Sequence, residues 1–563
     1  MRSLMSFLAL IAATTTLATP APADLIVHDA RIYTVDANHP VVNALVVRGG
    51  RVVFVGSERE AMSFRAAKTQ LLDLDGATVI PGMIDAHAHL LGLGQSLQTI
   101  DLRGTSSFDA VIAKVVERRA ATASGRWIVG RGWDQNDWAD TRFPEHTALS
   151  AKTTDHPVLL ERVDGHAVLV NAAAMKAAGI TSDSHDPDGG RIERDANGAP
   201  TGVLVDNAID LVAKVMPAST ADELRDAVTL AIAELQRWGL TGIHDAGVTR
   251  GVIGVYEAMA REGQFGLRNY VMVAGSDDDI GWALARGAQN GLYDGRLWLR
   301  SIKLSADGAL GSRGAWLLEP YADAPGQSGL ATLPSGRVRD VAIKALKAGF
   351  QVNIHAIGDR ANRVVLDELT QALDAVPVAD HRFRIEHAQI LHPDDLARFA
   401  ELGVIPSMQS SHQTSDMYWA GVRIGPTREL GAYAWRSLLD TGVIIPNGSD
   451  LPVELPNPLI SFHAAVSRQD AKNWPASGWH PEQRMTRDEA LKSMTVWPAQ
   501  AAFMGGRRWV AQPRQARRFR CACPTPDACR AGIDPAHARA PAVARRRARL
   551  RRGIIKWRQF EPP

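Results

Sequence analysis

Short apolar runs alternate with stretches of helical spacing through most of the chain. Strands and helices that follow one another in this way are typical of βα units, which build a parallel sheet with helices packed on it. The pattern nominates eight strands, at 79–87, 240–244, 269–274, 298–304, 350–355, 382–387, 403–408 and 442–448. Eight such units predict an α/β fold, a TIM (β/α)8 barrel over residues 81–485.

Three segments do not fit the repeating strand–helix pattern of the barrel: 24–80, 100–236 and 486–506. Residues 24–80 are rich in Val, Ile and Leu and are punctuated by Asn, Gly and Asp, which predicts short β-strands. We expect these strands to form the first part of a small β-sandwich, which the C-terminal segment completes only in part. Residues 100–236 contain strand-like and helix-like pieces and are predicted to be an insertion on the catalytic face. A terminal helix over 486–506 leads back to the sandwich.

Residues 1–23 have the organisation of a secretory signal peptide. Arg2 gives a positive start, Leu4–Ala13 is an apolar run too short to cross a bilayer, and Ala21–Ala23 offers a small-x-small cleavage site. The sequence therefore predicts export to the periplasm; a disordered or tethering N-terminus is the alternative. No stretch of about 18 apolar residues occurs, so no membrane span is predicted.

Charge is distributed unevenly along the chain, whose formal net charge is +2. Residues 507–563 carry 15 Arg and 1 Lys against 3 acidic residues, a net charge of +13, and they also hold all three cysteines. The body of the fold therefore has no disulfide framework. The tail lacks strand or helix periodicity, and we interpret it as a poorly ordered product of a frameshift near 505–510. A basic arm for nucleic acid or an anionic surface is the alternative.

A pair of histidines follows the first predicted barrel strand. His87 and His89 flank a single residue, and side chains at i and i+2 of a strand point to the same face. Both imidazoles would then point into the barrel mouth, where they could share one metal ion. Zinc accepts nitrogen and oxygen ligands together.

Three further candidates end later strands: His355 ends FQVNIH, His387 ends RFRIEH, and Asp450 ends GVIIPNGSD. A TIM barrel builds its active site at the C-terminal ends of its strands. Each residue alone has a structural explanation, such as a loop histidine or a helix cap. Four histidines and an aspartate at strand ends in separate units favour a metal centre.

Lys303 lies inside the apolar strand of LWLRSIKLSADGALGS. A lysine in that position is costly unless it is paired or chemically altered. The structural alternative is a lysine that extends to solvent or pairs with an acid such as Asp307.

Together with the motifs around them, these residues resemble those of a known family, the metal-dependent amidohydrolase superfamily. More narrowly, the chain is similar to the branch that includes N-substituted formamide deformylases. The resemblance runs from about residue 24 to 504 and rests on PGMIDAHAHL, GRGWDQNDW, DGHAVLVN, IKLSADGALGSR, VNIHAIGDRA, RIEHAQ and NGSDLPVE, with WPAQAAFM as a weaker match. Relatives continue after the last helix with strands that close their sandwich, and this chain departs from that pattern in its Arg-rich tail.

The resemblance implies a centre of two divalent metal ions, best suited to zinc. His87 and His89 would bind the first ion, His355 and His387 the second, and Lys303, carboxylated by CO2, would bridge them. Asp450 would bind the first ion and shuttle the proton. A metal-activated hydroxide would then cleave a non-peptide C–N bond, of the amide or formamide type, in a small-molecule substrate.

The loops at the strand ends supply candidates for substrate binding, each of which could also be structural. They are Trp133, Asp134, Gln135, His166, Arg313 and His412. His244 and Asp245 are candidates for orienting the ligands. We expect no nucleic-acid partner, and a homo-oligomer is compatible with the sequence. Two alternatives stay open: a mononuclear metal deaminase, which would lack the bridging lysine, and a barrel impaired in catalysis by its altered C-terminus.

Overall fold

The computed structural model describes residues 20–504. Residues 1–19 of the predicted signal peptide and the predicted tail 507–563 lie outside the described residues, and so does the expected frameshift. Within residues 20–504, no helix combines the length and the apolar character that a membrane span requires.

The strands, in chain order, are β1 (Leu25–Tyr33), β2 (Val41–Val42), β3 (Ala44–Arg48), β4 (Arg51–Gly56), β5 (Gln70–Val79), β6 (Met83–Ala88), β7 (Ile100–Asp101), β8 (Ile128–Trp133), β9 (Val158–Arg162), β10 (Ala167–Val170), β11 (Gly190–Arg194), β12 (Pro200–Asp206), β13 (Leu240–Val248), β14 (Arg268–Val273), β15 (Gln289–Gly291), β16 (Leu297–Ser305), β17 (Gln351–Ala356), β18 (Arg384–His387) and β19 (Ile405–Ser407).

The α-helices are α1 (Glu58–Ala61), α2 (Leu90–Ser96), α3 (Phe108–Ala120), α4 (Thr147–Lys152), α5 (Ala172–Ala178), α6 (Asp210–Ala213), α7 (Ala221–Arg237), α8 (Arg250–Arg261), α9 (Asp277–Arg286), α10 (Leu292–Gly295), α11 (Arg337–Ala348), α12 (Asp359–Ala375), α13 (Leu396–Leu402), α14 (Ser410–Asp416), α15 (Ala420–Glu429), α16 (Trp435–Leu439), α17 (Pro458–Ser467), α18 (Arg487–Ser493) and α19 (Val496–Ala501).

The barrel sheet is parallel and runs in the order β19-β18-β17-β16-β14-β13-β6. Helices cover the outer faces of its strands, so the strands are buried on both faces; all six residues of β17 are buried, for example. One large hydrophobic cluster joins the strands to the surrounding helices. The predicted α/β barrel is therefore confirmed as a TIM-like barrel.

The predicted eighth strand, 442–448, was wrong as a regular strand. The chain closes the ring there through isolated bridges, in which Gly448 N donates to Met408 O (3.0 Å) and Ala86 N donates to Asn447 O (3.2 Å). Pro446 has no N–H to give to a ladder. A Cβ on Gly448 would lie 2.4 Å from His87 N, so the segment also passes unusually close to β6.

Residues 100–206 form a second sheet, called here the accessory sheet, between β6 and β13. Its order is β11-β12-β10-β9-β8-β7, and apolar clusters cover both faces. The predicted insertion extended to 236, but α7 belongs to the barrel because Val228, Ile232 and Leu235 are part of the barrel core. Their spacing of three and four residues places them on one face of the helix.

The N-terminal sheet has five strands, in the order β2-β1-β3-β4, with β5 parallel to β1. Alternate residues of β1 face opposite sides, so that Leu25 and Val27 lie in one apolar cluster and Ile26 in another. Apart from the barrel sheet and the accessory sheet, the described residues form only this one sheet, so the second layer of the β-sandwich stays a prediction.

Candidate metal centre

Three of the predicted ligands come together at the mouth of the barrel. His87 at the end of β6, His387 at the end of β18 and Asp450 each offer one ligand atom, and these atoms all lie within 4.8 Å of one another. All three residues are buried. They meet because the C-terminal ends of parallel strands open at the same side of a barrel.

His87 is oriented by a buried carboxylate. Its Nδ1 donates to Glu386 Oε2 at 2.6 Å, while its Nε2 has no hydrogen-bond partner among residues 20–504 and lies 3.6 Å from Asp450 Oδ1. Burial lowers the pKa of His87, against the opposing attraction of Glu386 and Asp450. The neutral ring that binds a metal is therefore favoured, with its free nitrogen directed at the cluster.

His89 approaches the same carboxylate from a partly exposed position. Its Nε2 lies 3.0 Å from Asp450 Oδ1, and its Nδ1 donates to Ala246 O at 3.0 Å. The rings of His87 and His89 are 5.6 Å apart, as expected for neighbours on one face of a strand. Both histidines of the pair thus present Nε2 towards Asp450.

His355 and His387 end the adjacent strands β17 and β18, and their rings are 4.5 Å apart. Nδ1 of His387 donates to Gln409 Oε1 at 2.8 Å. Nε2 of His355 is buried, lies 3.4 Å from Asp307 Oδ1 and has no hydrogen-bond partner in the described part of the chain. Burial holds the pKa of both rings well below the usual value, so both are neutral. The ring of His387 also lies 4.8 Å from that of His87, which connects the two histidine pairs.

Asp450 is held in a left-handed backbone conformation, with φ 56°. Asp85 fixes the preceding residue, because it accepts hydrogen bonds from Ser449 N (3.0 Å) and Ser449 Oγ (2.5 Å) and also from His87 N (3.2 Å). Burial raises the pKa of Asp450, but the neighbouring His87, His89 and His387 hold it well below the usual range. Its Oδ1 is buried and accepts no hydrogen bond from a described residue.

Lys303 lies in β16 beside these groups. It forms no ion pair with any other described residue. Burial lowers its pKa, and Glu386 and Asp450 are the nearby acids that oppose the shift. The predicted alternative, a pair with Asp307, does not form, because Asp307 instead accepts the backbone N–H groups of Ile357, Gly358 and Trp316. A lowered pKa favours the neutral amine, which is the form that reacts with CO2.

These side chains fit a divalent metal ion. Three of their buried atoms lack any hydrogen-bond partner within residues 20–504: Nε2 of His87, Nε2 of His355 and Oδ1 of Asp450. Buried polar atoms in a folded protein almost always have partners, so orphans in one place point to a missing ligand. Imidazole nitrogen and carboxylate oxygen are the donors that divalent transition metals accept.

A buried network around Arg384 and Glu386 supports the histidines and was not predicted from the sequence. Nε of Arg384 lies 2.8 Å from Glu386 Oε1, and its Nη2 donates to Glu386 Oε2 (2.9 Å) and to Ala86 O (2.7 Å). Nη1 of Arg384 donates to His244 Nδ1 at 2.8 Å. A signal was present, since RFRIEH places Arg384 and Glu386 on the same face of an apolar strand.

Three of the candidate substrate residues belong to the accessory sheet. Trp133 packs inside its hydrophobic cluster and donates from Nε1 to Leu160 O at 2.8 Å. Asp134 and Gln135 both contact the buried Arg162, the glutamine through Oε1 at 2.9 Å. Within the described part of the chain, none of the three contacts a ligand histidine, and their interactions are structural.

The other three candidates differ in their relation to the centre. His412 lies beside it; its Nε2 is buried 3.7 Å from Asp450 Oδ2 and has no hydrogen-bond partner within the described residues. The ring of His166 is 5.0 Å from that of His355. Arg313 instead pairs with Asp323, Nη2 to Oδ2 at 2.8 Å. The structure therefore brings His166 and His412 to the centre. Of the two predicted orienting residues, His244 contacts Arg384, and Asp245 accepts from Leu90 N at 2.9 Å.

Known proteins resemble this chain over most of its length. The profile of the amidohydrolase family matches residues 70–510. The putative amidohydrolase YtcJ of Bacillus subtilis is 33% identical over 475 residues, which cover 83% of this chain and 88% of the relative. The N-substituted formamide deformylase of Arthrobacter pascens is 29% identical over 510 residues, with coverage of 86% and 90%.

A solved structure agrees with these sequence matches. The crystal structure of an uncharacterized metal-dependent hydrolase from Pyrococcus horikoshii superposes with a TM-score of 0.68 at 26% identity, and covers 86% of this chain and 95% of that chain. The family match spans well over half of the sequence and includes every predicted ligand. The chain therefore belongs to the amidohydrolase family and is a hydrolase that acts on carbon–nitrogen bonds.

Proposed function

We propose that the chain hydrolyses a non-peptide C–N bond in a small amide, with N-substituted formamides as the first class to test. The observation that carries the proposal is the buried cluster of His87, His387 and Asp450, whose ligand atoms lie within 4.8 Å of one another. The substrate class is suggested by the deformylase of Arthrobacter pascens, which is similar across 90% of its own length.

We assign the ligands to two metal ions. His87, His89 and Asp450 would hold the first, and His355 and His387 the second. Lys303, as a carbamate, would lie between them. The support is the free Nε2 atoms, the short distances of His87 in β6 and of His89 just after it from Asp450 Oδ1, and a lysine that has no ion-pair partner among the described residues. Zinc is the ion that suits this histidine-rich set best.

The bound ions would act as Lewis acids, which polarise a carbonyl and lower the pKa of water. Asp450 is placed to move the proton, since its Oδ1 accepts no hydrogen bond from a described residue and its low pKa makes it a carboxylate at neutral pH. It would take a proton from the attacking water and return it to the leaving nitrogen. Amide and water then become carboxylic acid and amine, and Asp450 ends as it began.

His412 is placed to bind the substrate. Its Nδ1 accepts a hydrogen bond from Gln389 Nε2 at 3.3 Å, which leaves Nε2 as the ring nitrogen that can donate. Nε2 is buried, lies 3.7 Å from Asp450 Oδ2 and has no hydrogen-bond partner among the described residues. A carbonyl oxygen at the centre would satisfy it.

A mononuclear deaminase is the second candidate function. The three residues that cluster most tightly, His87, His387 and Asp450, are enough to hold a single ion. In that reading Lys303 would be a structural lysine. The number of metal ions per chain separates the two functions.

The test is hydrolysis of 4-nitroformanilide, an N-substituted formamide that releases coloured 4-nitroaniline. We expect turnover by the zinc-loaded chain and a loss of about 10³-fold in kcat for Asp450→Asn, because the proton then has no carrier. Asp488→Asn is the matched control, since Asp488 is an exposed residue that pairs with Lys492 on the helix surface. Equal rates for Asp450→Asn and wild type would refute the role of Asp450. Ammonia release from amino-substituted rings, without formanilide hydrolysis, would favour the deaminase.

A further inference from the structure

Asn353 in β17 is a fully buried side chain whose amide is left unpaired by the residues around it. Neither its Nδ2 nor its Oδ1 forms a hydrogen bond with any residue in 20–504. Gln351, in the same strand, is equally buried, but Tyr270 Oη donates to its Oε1 at 3.0 Å and its Nε2 donates to Ala501 O at 2.9 Å. A buried amide whose donor and acceptor are both unused is costly, so Asn353 indicates a polar partner beyond these side chains.

The strand register places Asn353 between Lys303 and Arg384. Lys303 of β16 lies directly opposite Asn353 on one side, and Arg384 of β18 lies opposite it on the other. Opposite residues of neighbouring parallel strands project to the same face of the sheet. This face is the inside of the barrel, because the next residue of β17 on it is His355, whose ring lies 4.5 Å from that of His387. Asn353 is therefore beside Lys303, one position deeper in the barrel than a predicted metal ligand.

Of these two neighbours, Arg384 already has its own partners. Its Nη1 donates to His244 Nδ1 at 2.8 Å, its Nη2 donates to Ala86 O at 2.7 Å, and its Nε lies 2.8 Å from Glu386 Oε1. Lys303 forms no ion pair with another residue in the described part of the chain. The polar group that completes the amide of Asn353 is therefore expected on the side of Lys303.

A carbamate on Lys303 matches the amide of Asn353 edge to edge. The carbamate has an N–H donor next to a carboxylate oxygen, and the amide has an acceptor, Oδ1, next to a donor, Nδ2. Two hydrogen bonds can then form together, and the one from Nδ2 to the charged carboxylate is of the stronger, charge-assisted kind. An unmodified lysine ends in a single nitrogen, which cannot satisfy both amide atoms in this way.

We propose that Asn353 is a positioning residue for the bridging ligand: its Oδ1 accepts from the carbamate N–H of Lys303, and its Nδ2 donates to a carbamate oxygen. In forming the carbamate, the amine of Lys303 attacks CO2, an N–C bond forms, one C=O electron pair moves onto oxygen, and a proton leaves the nitrogen for solvent. Asn353 stabilises the product of this step and fixes the plane of the carboxylate. This inference rests on the two-metal centre of the proposed function.

The experiment observes the carbamate itself, by carbon NMR of the full chain with zinc in isotope-labelled bicarbonate at increasing concentration. A signal that is absent in Lys303→Ala is assigned to the lysine carbamate. We expect Asn353→Leu and Asn353→Ala to need about tenfold or more bicarbonate for half of the maximal signal, because two hydrogen bonds to a charged group are lost. Gln351→Met is the matched control: it removes a buried amide from the same face of the same strand and should keep the wild-type bicarbonate requirement.

Urea unfolding of the metal-free chain without CO2 supplies the second readout. We expect Asn353→Leu to be at least as stable as wild type, because it removes buried groups that lack partners. Gln351→Met should be less stable, because Tyr270 and Ala501 lose their hydrogen bonds to the glutamine. Asn353→Ala cannot overpack the barrel, so it carries the NMR test if the leucine does not fit.

The outcomes separate this inference from the proposed function. A wild-type bicarbonate requirement in the Asn353 variants, whatever their stability, would overturn the inference and leave the two-metal centre intact. A wild-type chain that gives no carbamate signal would overturn both. If the carbamate depends on Asn353 but no formamide is hydrolysed, the proposed substrate class fails and this inference stands.

Discussion

Glu386 is the side chain whose replacement tests most sharply whether the histidines form an oriented metal centre. It is fully buried, it accepts from His87 Nδ1 at 2.6 Å, and it pairs with Arg384 through both oxygens. Its pKa is well below the usual range because Arg384 and His87 outweigh the effect of burial, so it is a carboxylate at neutral pH. Glu386→Gln keeps the shape of the side chain but replaces one acceptor oxygen with a donor.

The expected losses of stability and of metal affinity follow from the hydrogen-bond donors that lose their acceptor. In Glu386→Gln one buried N–H of His87 or Arg384 faces an amide N–H, and an unsatisfied buried donor costs about 1–3 kcal/mol of unfolding free energy. Glu386→Ala leaves Arg384 as an uncompensated buried charge, which costs about 3–5 kcal/mol. Loss of the group that orients a ligand histidine lowers metal affinity by about 10–100-fold.

The assay is metal affinity by competition with a chelator, beside urea unfolding of the metal-free chain. Glu368→Gln is the matched control: Glu368 is also buried, but it accepts the backbone N–H groups of Gly336 and Arg339 near α11. We expect both Gln variants to lose stability and only Glu386→Gln to lose metal affinity. The same metal affinity in Glu386→Gln and Glu368→Gln would refute the claim that Glu386 orients His87.

Three further predictions follow from single contacts. Ser449→Ala removes the 2.5 Å hydrogen bond to Asp85 that fixes the segment before Asp450, so we expect kcat for 4-nitroformanilide to fall about tenfold with metal content unchanged; an unaltered kcat would contradict this. Gly308→Ala inserts a methyl group 2.2 Å from Asp206 Oδ2, and should lower the free energy of unfolding of the metal-free chain by about 1–3 kcal/mol in urea, whereas wild-type stability would show that the loop adapts freely. Burial raises the pKa of Asp416 from 3.8 to about 7, so ionising it costs stability as the pH rises through this range. In urea unfolding of the metal-free chain, Asp416→Asn should therefore be more stable than wild type above pH 7 but not below pH 3.8. A gain in stability confined to low pH would contradict a raised pKa of Asp416 in the folded chain.

The ligands could be predicted from the sequence because each has a local signal. His87 and His89 flank one residue after an apolar run, and His355, His387 and Asp450 end others, so the geometry of a parallel barrel brings them together without further information. The barrel itself was predictable for a similar reason, since seven of the eight predicted strand segments form the parallel strands of the barrel sheet.

The supporting groups were harder to predict because their partners are distant in sequence. Glu386 contacts His87 across 299 residues, and Asp206 contacts a histidine of its own sheet but fits between two glycines of the barrel. Neither position stands out from sequence spacing. The eighth strand was overpredicted because an apolar run carries no sign of the single bridges that close the ring at Gly448.

The most direct test of the metal centre is elemental analysis of the purified chain, wild type beside Lys303→Ala, with the exposed Lys344→Ala as control. We predict about two divalent ions per wild-type chain, the same number in Lys344→Ala and a clear fall in Lys303→Ala, because a lysine carbamate would be a shared ligand. One ion per chain in all three proteins would contradict the bridged centre and favour the mononuclear deaminase. A folded wild-type chain that binds no metal would contradict the account as a whole.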